Sequence, residues 1–408
     1  MAANGKAKKI VIVGGSFGGV NAAYALRRAL GARAEITVVS REPTFTFFPA
    51  LPLVILGWRE PNRVQVALDK PLSRRRIRLV HGEATALDAS ASEVITAHGR
   101  FGYDFLIIAS GAELDYAAVP GLGPAGGHTH STFSLDEAVG ARDALARALS
   151  AERGRIVIGA APGASCIGPA YEIPLMVDAL LRKRRRRHRF NLRFLTPEPF
   201  LGHFGIGGVG KFPRLIADEF AERDIEVTTS ARIVEAEAGQ LVLADGTQAP
   251  FDFSLVIPAF QGGPFVRSVD GLANPRGFVP VTSELKSARL DNVYAVGVAV
   301  AIAPVGPTPV PVGVPKTGHL TEQMACAAAH NIACDIKGGP KVDGLTLPGI
   351  CIMDGGNTGY YFSAEPFLPP RNRVVHKKGK WSRQLKLLFE KYYLARIRYD
   401  LPSLHFGW

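Results

Sequence analysis

The chain has four cysteines in 408 residues. Cys326 and Cys334 are eight residues apart in a stretch, 320–336, that reads as a helix, and buried thiols are the ordinary use of cysteine there. Cys166 and Cys351 instead occupy glycine-rich segments that read as loops. Four cysteines in a chain this long do not form a disulfide scaffold. The chemistry open to the pair is that of thiolates, which need an electropositive and partly exposed setting. Cys166 stands where a glycine turn opens a helix, and the positive end of a helix dipole favours a thiolate. A second chemical feature is the turn Gly14-Gly-Ser-Phe-Gly-Gly19. Such a turn suits a pyrophosphate, because glycines let the backbone approach it closely.

The elements around that turn give it meaning. Lys8–Val13 is an apolar run that reads as a buried strand, 20–30 as a small-residue helix, and Ala34–Ser40 as a second strand. Strand, glycine turn, helix and strand make the βαβ unit in which the fingerprint signifies dinucleotide binding. Gly14, Ser16, Gly18 and Gly19 are the expected contacts, with Ser16 where a glycine is usual. The second strand ends Ser40-Arg41-Glu42, so Glu42 or Ser40 is expected at the ribose. A strand over 103–108 ends in Ala109-Ser110-Gly111, and another over 291–297 ends in Gly297. Both resemble the later cofactor-contacting strands of two-domain flavoproteins. The predicted fold is α/β with two Rossmann-like domains. A discontinuous FAD domain (1–116 and 290–365) carries an inserted second domain (117–289), and a basic amphipathic segment (366–408) follows. The second domain begins with a strand over 155–159, but Pro162, Pro169 and Cys166 interrupt its glycine loop, so this scaffold is read as no longer binding a nicotinamide nucleotide.

The segments Gly163-Ala-Ser-Cys-Ile-Gly-Pro-Ala-Tyr-Glu172, Glu198-Pro-Phe-Leu-Gly-His-Phe-Gly-Ile206, Val256–Phe260, Thr308–Pro311, Pro315–Gly318, Cys351–Gly359 and Phe389–Tyr393 together resemble the sulfide:quinone oxidoreductases. The resemblance covers nearly the whole chain. It implies a flavoprotein that oxidises sulfide to polysulfide or sulfur and passes two electrons through FAD to a membrane quinone. Cys166 and Cys351 then match the two redox cysteines. Glu172 and His203 match residues of the sulfide pocket that handle protons, although a loop-capping role for His203 stays open. Lys316 matches a lysine at the flavin edge, and a solvated loop charge is its alternative. Phe133 stands where many members carry a third cysteine, which in some is linked to FAD, so FAD is expected to be non-covalent.

Charge gives the last expectation. The formal net charge is +12. The last 38 residues hold ten Lys/Arg against two acids, and the run Arg182–Arg189 holds seven more. Aromatic and basic residues at helical spacing over 381–397 read as an amphipathic helix on an anionic membrane surface. A C-terminal helix packed on the body with a solvated basic face is the bland alternative. No recognition motif points to nucleic acid, and no metal-ligand cluster is apparent. No apolar run is long enough to cross a bilayer, and the first nine residues lack the apolar region of a signal peptide. A peripheral protein on the cytoplasmic face of the membrane, with a homo-oligomer admitted, is the predicted setting. A type II NADH:quinone oxidoreductase and a non-catalytic flavin-bound persulfide sensor are the competing readings.

Overall fold

The computed structural model describes residues 6–402; residues 1–5 and 403–408 lie outside the described part. Along the chain run β1 (Lys8–Val13), α1 (Phe17–Leu30), β2 (Ala34–Ser40), β3 (Ile77–His81), β4 (Phe105–Ile108), α2 (Leu135–Ser150), β5 (Gly154–Ala160), α3 (Gly168–Lys183), β6 (Phe190–Leu195), β7 (Glu226–Thr228) and β8 (Phe253–Ile257). Then come β9 (Val293–Ala295), α4 (Gly318–Lys337), β10 (Gly349–Asp354), β11 (Gly359–Glu365), β12 (Arg373–Gly379) and α5 (Lys380–Tyr399), with shorter strands, turns and the helices Leu51–Ile55, Asp69–Arg74 and Phe212–Glu222 between.

The first sheet has the order β9-β4-β1-β2-β3, all parallel. Its inner strands are Val/Ile-rich and mostly buried, as a parallel sheet covered on both faces requires, while the edge strand β3 is partly exposed. β9 pairs with β4 through Val293↔Leu106 and Ala295↔Ile108, so a strand from late in the chain completes a sheet begun at residue 8. The second sheet, β7-β6-β5-β8, is also parallel. A short antiparallel pair, Ala112–Asp115 with Ala259–Gly262, links the two.

The third sheet was not expected. β10, β11 and β12 form an antiparallel meander. Cys351 therefore lies on a strand rather than in a loop. Within the segment 366–408, read as a membrane-surface element, Arg373–Gly379 is a strand paired to β11. Apolar residues of β11 on one face, Tyr360 and Phe362, are buried, with Phe362 against Phe204 and Phe212.

α5 corrects the reading of the basic tail. Its inward face is Ser382, Lys386, Glu390, Tyr393, Arg396 and Ile397. Arg383 pairs with Asp354 at 3.1 Å, Lys386 with Glu172, Glu390 with Arg59 at 2.8 Å and Arg396 with Glu322 at 2.9 Å. Asp400, just past the helix, pairs with Arg28 and, at 3.2 Å, with Arg75. Three of the bases assigned to lipid are thus turned into the protein, because the body presents carboxylates there. The outward face carries Trp381, Leu388 and Tyr399, 46, 62 and 56% exposed. The Arg182–Arg189 run is partly consumed the same way. Buried Asp178 holds Arg182 and Arg187 at 2.9 and 2.8 Å, and Arg186 donates to Leu149 O at 2.6 Å.

Removing one partner of a buried pair strands the other charge. An Arg396→Ala variant is expected to lose about 3 kcal/mol in urea unfolding, whereas Lys391→Ala, at an exposed position of the same helix, should change stability by less than about 0.5 kcal/mol.

Candidate functional site

A single cavity of about 1380 Å³ runs between the three sheets, and it gathers most of the residues singled out in the sequence. One end is the glycine turn. Gly14 has φ +114°, and a Cβ there would come within 2.2 Å of Ala109 O, so the turn abuts the strand end that carries Ser110 and Gly111. A Cβ at Gly19 would lie 1.7 Å from Gly14 O. Gly19 does not line the cavity; it lets α1 pack directly on the turn. Ser16 makes no capping bond and the first turn of α1 has no acid. Its free N–H groups and dipole thus face the cavity as an anion cradle. Gly297 stands behind the wall, flanked by the lining residues Val296 and Val298.

The ribose end differs from the fingerprint. Ser40 Oγ donates to Glu42 O at 2.6 Å and packs beneath Gly15, whose Cβ position is 2.5 Å away. A larger acid at position 40 would collide with the turn. Glu42 and Arg41 reach the rim, where Arg41 lies 3.7 Å from Glu83.

The thiols occupy the middle. Cys166 lies in the loop between β5 and α3 and Cys351 on β10; both are free and both line the cavity. The loop is braced from outside: Gly163 N donates to Pro311 O at 2.6 Å and Gly313 N to Ala164 O at 2.9 Å. The proline-rich segment 304–315 is thereby bonded to the loop backbone at Gly163 and Ala164. The expected thiolates are not found in this state. Burial and then the charge of Glu172 push Cys166 up to about 11, with Lys316 opposing. The same two causes push Cys351 up to about 12, with Lys386 opposing and Cys166 adding. Desolvation outweighs the helix end at these depths.

Glu172 is buried, bound to Lys386 and to the amide of Asp354 at 2.7 Å. Its pKa is raised by burial, with Lys386 pulling it back. Lys386 is a site residue that the sequence reading placed on lipid. Its flanking apolar residues concealed it, since a lone base in an amphipathic helix is normally solvated. Lys316 also lines the cavity, with Nζ 5.1 Å from the Phe278 ring and no ion pair among the described residues. Burial, then Arg276, lowers it to about 8, while Cys166 works the other way. His203 is not brought to the cavity. Gly205 N donates to its Nδ1 at 3.1 Å and its ring packs on Phe200 at 5.1 Å. Burial lowers its pKa. Of its two readings, the loop cap is the one this geometry serves.

Phe133 and Phe260 meet edge to face at 5.0 Å on the cavity wall, an apolar seat where a thiol was absent from the sequence. At the other end Phe48, Trp381, Leu385 and Phe389 form an apolar mouth.

Residues 8–165 match the family described as pyridine nucleotide-disulphide oxidoreductase. The chain is 39% identical over 401 residues to the sulfide-quinone reductase of Aquifex aeolicus (strain VF5), covering 96% of this chain and 91% of that protein. It superposes on the X-ray structure of the sulfide:quinone oxidoreductase from that hyperthermophilic bacterium with TM-score 0.93 and 38% identity, over 97% of this chain and 93% of that one. NDH2 from Plasmodium falciparum shares the fold, at TM-score 0.70 and 13% identity over 96% of this chain and all (100%) of that one.

Because Glu172 raises both thiols, a Glu172→Gln variant is expected to be alkylated by iodoacetamide several-fold faster at Cys166 and Cys351 at pH 8. Mass spectrometry of the labelled peptides reads this directly. In the unaltered protein the labelling rate should climb about tenfold per pH unit, levelling only near the raised pKa values.

Proposed function

Because this chain belongs to the sulfide:quinone oxidoreductase family, oxidising sulfide and passing the electrons by way of FAD to a quinone, we propose that Cys166 and Cys351 are the thiols that take up the sulfur. The observation that carries this is their convergence, from distant parts of the chain, on the cavity that also holds the dinucleotide cradle. FAD bound in that cradle supplies two-electron chemistry; the chain supplies binding, orientation and charge. With the two cysteines joined as a disulfide, hydrosulfide attacks one sulfur. A persulfide forms there, the S–S bond breaks, and the other cysteine leaves as thiolate. The persulfide and thiolate then hold the two electrons that pass on to FAD.

Around this step the residues divide the work. Gly14, Ser16, Gly18, Ser110 and Gly111 line the cofactor's end of the cavity, Gly19 and Gly297 shape its walls, and Ser40, Arg41 and Glu42 meet the ribose. Lys316 gives Cys166 its cation. Glu172, held by Lys386, is placed to exchange protons with the sulfur species. The Phe133–Phe260 pair seats the flavin without a covalent link.

The quinone enters through the apolar mouth. Trp381 and Leu388 on the outward face of α5 are placed to contact lipid there. No described helix is long and apolar enough to cross a membrane, so contact is made from the surface, with Lys391 and Arg398 toward anionic headgroups.

Anaerobic mixing with sulfide is expected to bleach the flavin absorbance, and a quinone analogue to restore it. Cys166→Ser and Cys351→Ser should each retain FAD and each abolish bleaching. Bleaching by NADH with no response to sulfide would overturn the reading. Acid precipitation should release all the FAD into the supernatant.

A further inference from the structure

The meander presents its second face to the cavity, and that face is unlike the rest of the mouth. Ile352, Tyr361 and Lys377 form one rung across the three strands, and Ile350, Ser363 and Val375 the next. Directly opposed residues of antiparallel strands put their side chains on the same face, and all six line the cavity. Along the Ile352 rung the wall changes from aliphatic on β10 to polar on β12, whereas the next rung keeps Val375 on β12. Leu385 and Phe389 of α5 line the same cavity. A flat ring lying between Ile350, Ile352 and α5 would have Tyr361 and Lys377 to one side of it.

Two of those groups have no other employment. Among the described residues the Tyr361 hydroxyl and the Lys377 ammonium carry no hydrogen bond and no ion pair. Lys377 is held instead over the Trp381 ring, 5.8 Å from its centre. Tyr361 has its own ring 6.0 Å from that of Trp381. A half-buried tyrosine facing a cavity ordinarily has a partner for its O–H. Here the partner is missing from the protein side.

Resting on the quinone reading above, we propose that Tyr361 and Lys377, braced by Trp381, bind the outer carbonyl of the quinone and deliver its proton. Reduction to the quinol requires two electrons and two protons. The electrons and one hydrogen come from the reduced cofactor side. As they arrive, the outer carbonyl oxygen gains negative charge. The Tyr361 O–H bond breaks as the new quinol O–H bond forms. The phenolate recovers a proton from the Lys377 ammonium, and Lys377, exposed at the mouth, regains one from water. A neighbouring cation also stabilises the developing oxyanion.

The test separates the two half-reactions. Enzyme bleached anaerobically with sulfide is mixed rapidly with decylubiquinone, and the return of flavin absorbance is followed in H₂O and in D₂O. A positioned general acid contributes about 10²–10⁴-fold. Tyr361→Phe and Lys377→Met should each slow the return at least about 100-fold. The solvent isotope effect should change in both variants. Lys377→Arg should recover most of the rate. Bleaching by sulfide serves in each variant as the control for folding and bound FAD. Wild-type rates and isotope effects in both variants would overturn this assignment while leaving the quinone reading standing. No quinone-driven return in the unaltered protein would overturn both.

Discussion

Buried charges must be answered by opposite charges, and this requirement decides where the last helix lies. Asp354, Glu172 and Glu322 come from β10, α3 and α4, and Arg59 from the segment before β3; α5 answers them with Arg383, Lys386, Arg396 and Glu390. Each contact is costly to break once the partner is desolvated. Together they hold one helix against both parallel-sheet units and the meander. Asn21 of α1 joins the set, accepting from Arg396 at 2.8 Å and donating to Tyr393 at 2.7 Å. The helix that offers its N-terminus to the cofactor phosphates is thereby bonded to the helix that walls the mouth.

The cavity inherits its character from that arrangement. With Arg383, Lys386, Glu390 and Arg396 of α5 paired to the body, Leu385 and Phe389 are left for the cavity, Trp381 for its mouth and Leu388 for the outside. The route from cofactor to surface is therefore apolar on one side, which suits an electron acceptor that is soluble in lipid. Sulfide chemistry occupies the middle of the same space. There burial, the charge of Glu172 and the opposing charges of Lys316 and Lys386 set the acidity of a half-buried thiol pair. The high thiol pKa values suit the proposed step, in which a thiolate forms only when hydrosulfide attacks the cysteine pair.

Much of the fold was legible because parallel strands and their glycine turns are local signals. The run Lys8–Val13, the Gly14–Gly19 turn and the strand endings at Gly111 and Gly297 each declare themselves within ten residues. The cysteine pair and Glu172 were found from short segments that resemble one family. The misreadings share a cause. Cys351 was placed in a loop because Gly355 and Gly356 follow it closely, although its neighbours Ile350, Ile352 and Met353 are good strand formers. Cys166 was given an acidic thiol from its helix end alone, without the burial that reverses it. His203 was drawn to the sulfide pocket, and its ring is used inside its own turn. The basic tail was counted as free charge.

What the sequence determined by itself is the class of the molecule: the glycine turn with its flanking strands and helix, and the family whose short segments single out Cys166 and Cys351, all carried by residue types at fixed short spacings. The tertiary structure alone decided which charges are free, which thiols are acidic and which residues share a wall. Charge and acidity depend on burial and on partners hundreds of residues away, as Lys386 on Glu172 and Arg396 on Glu322 and Asn21 do. No spacing along the chain records such a partner, because the pairing exists only once the sheets have brought the two segments together.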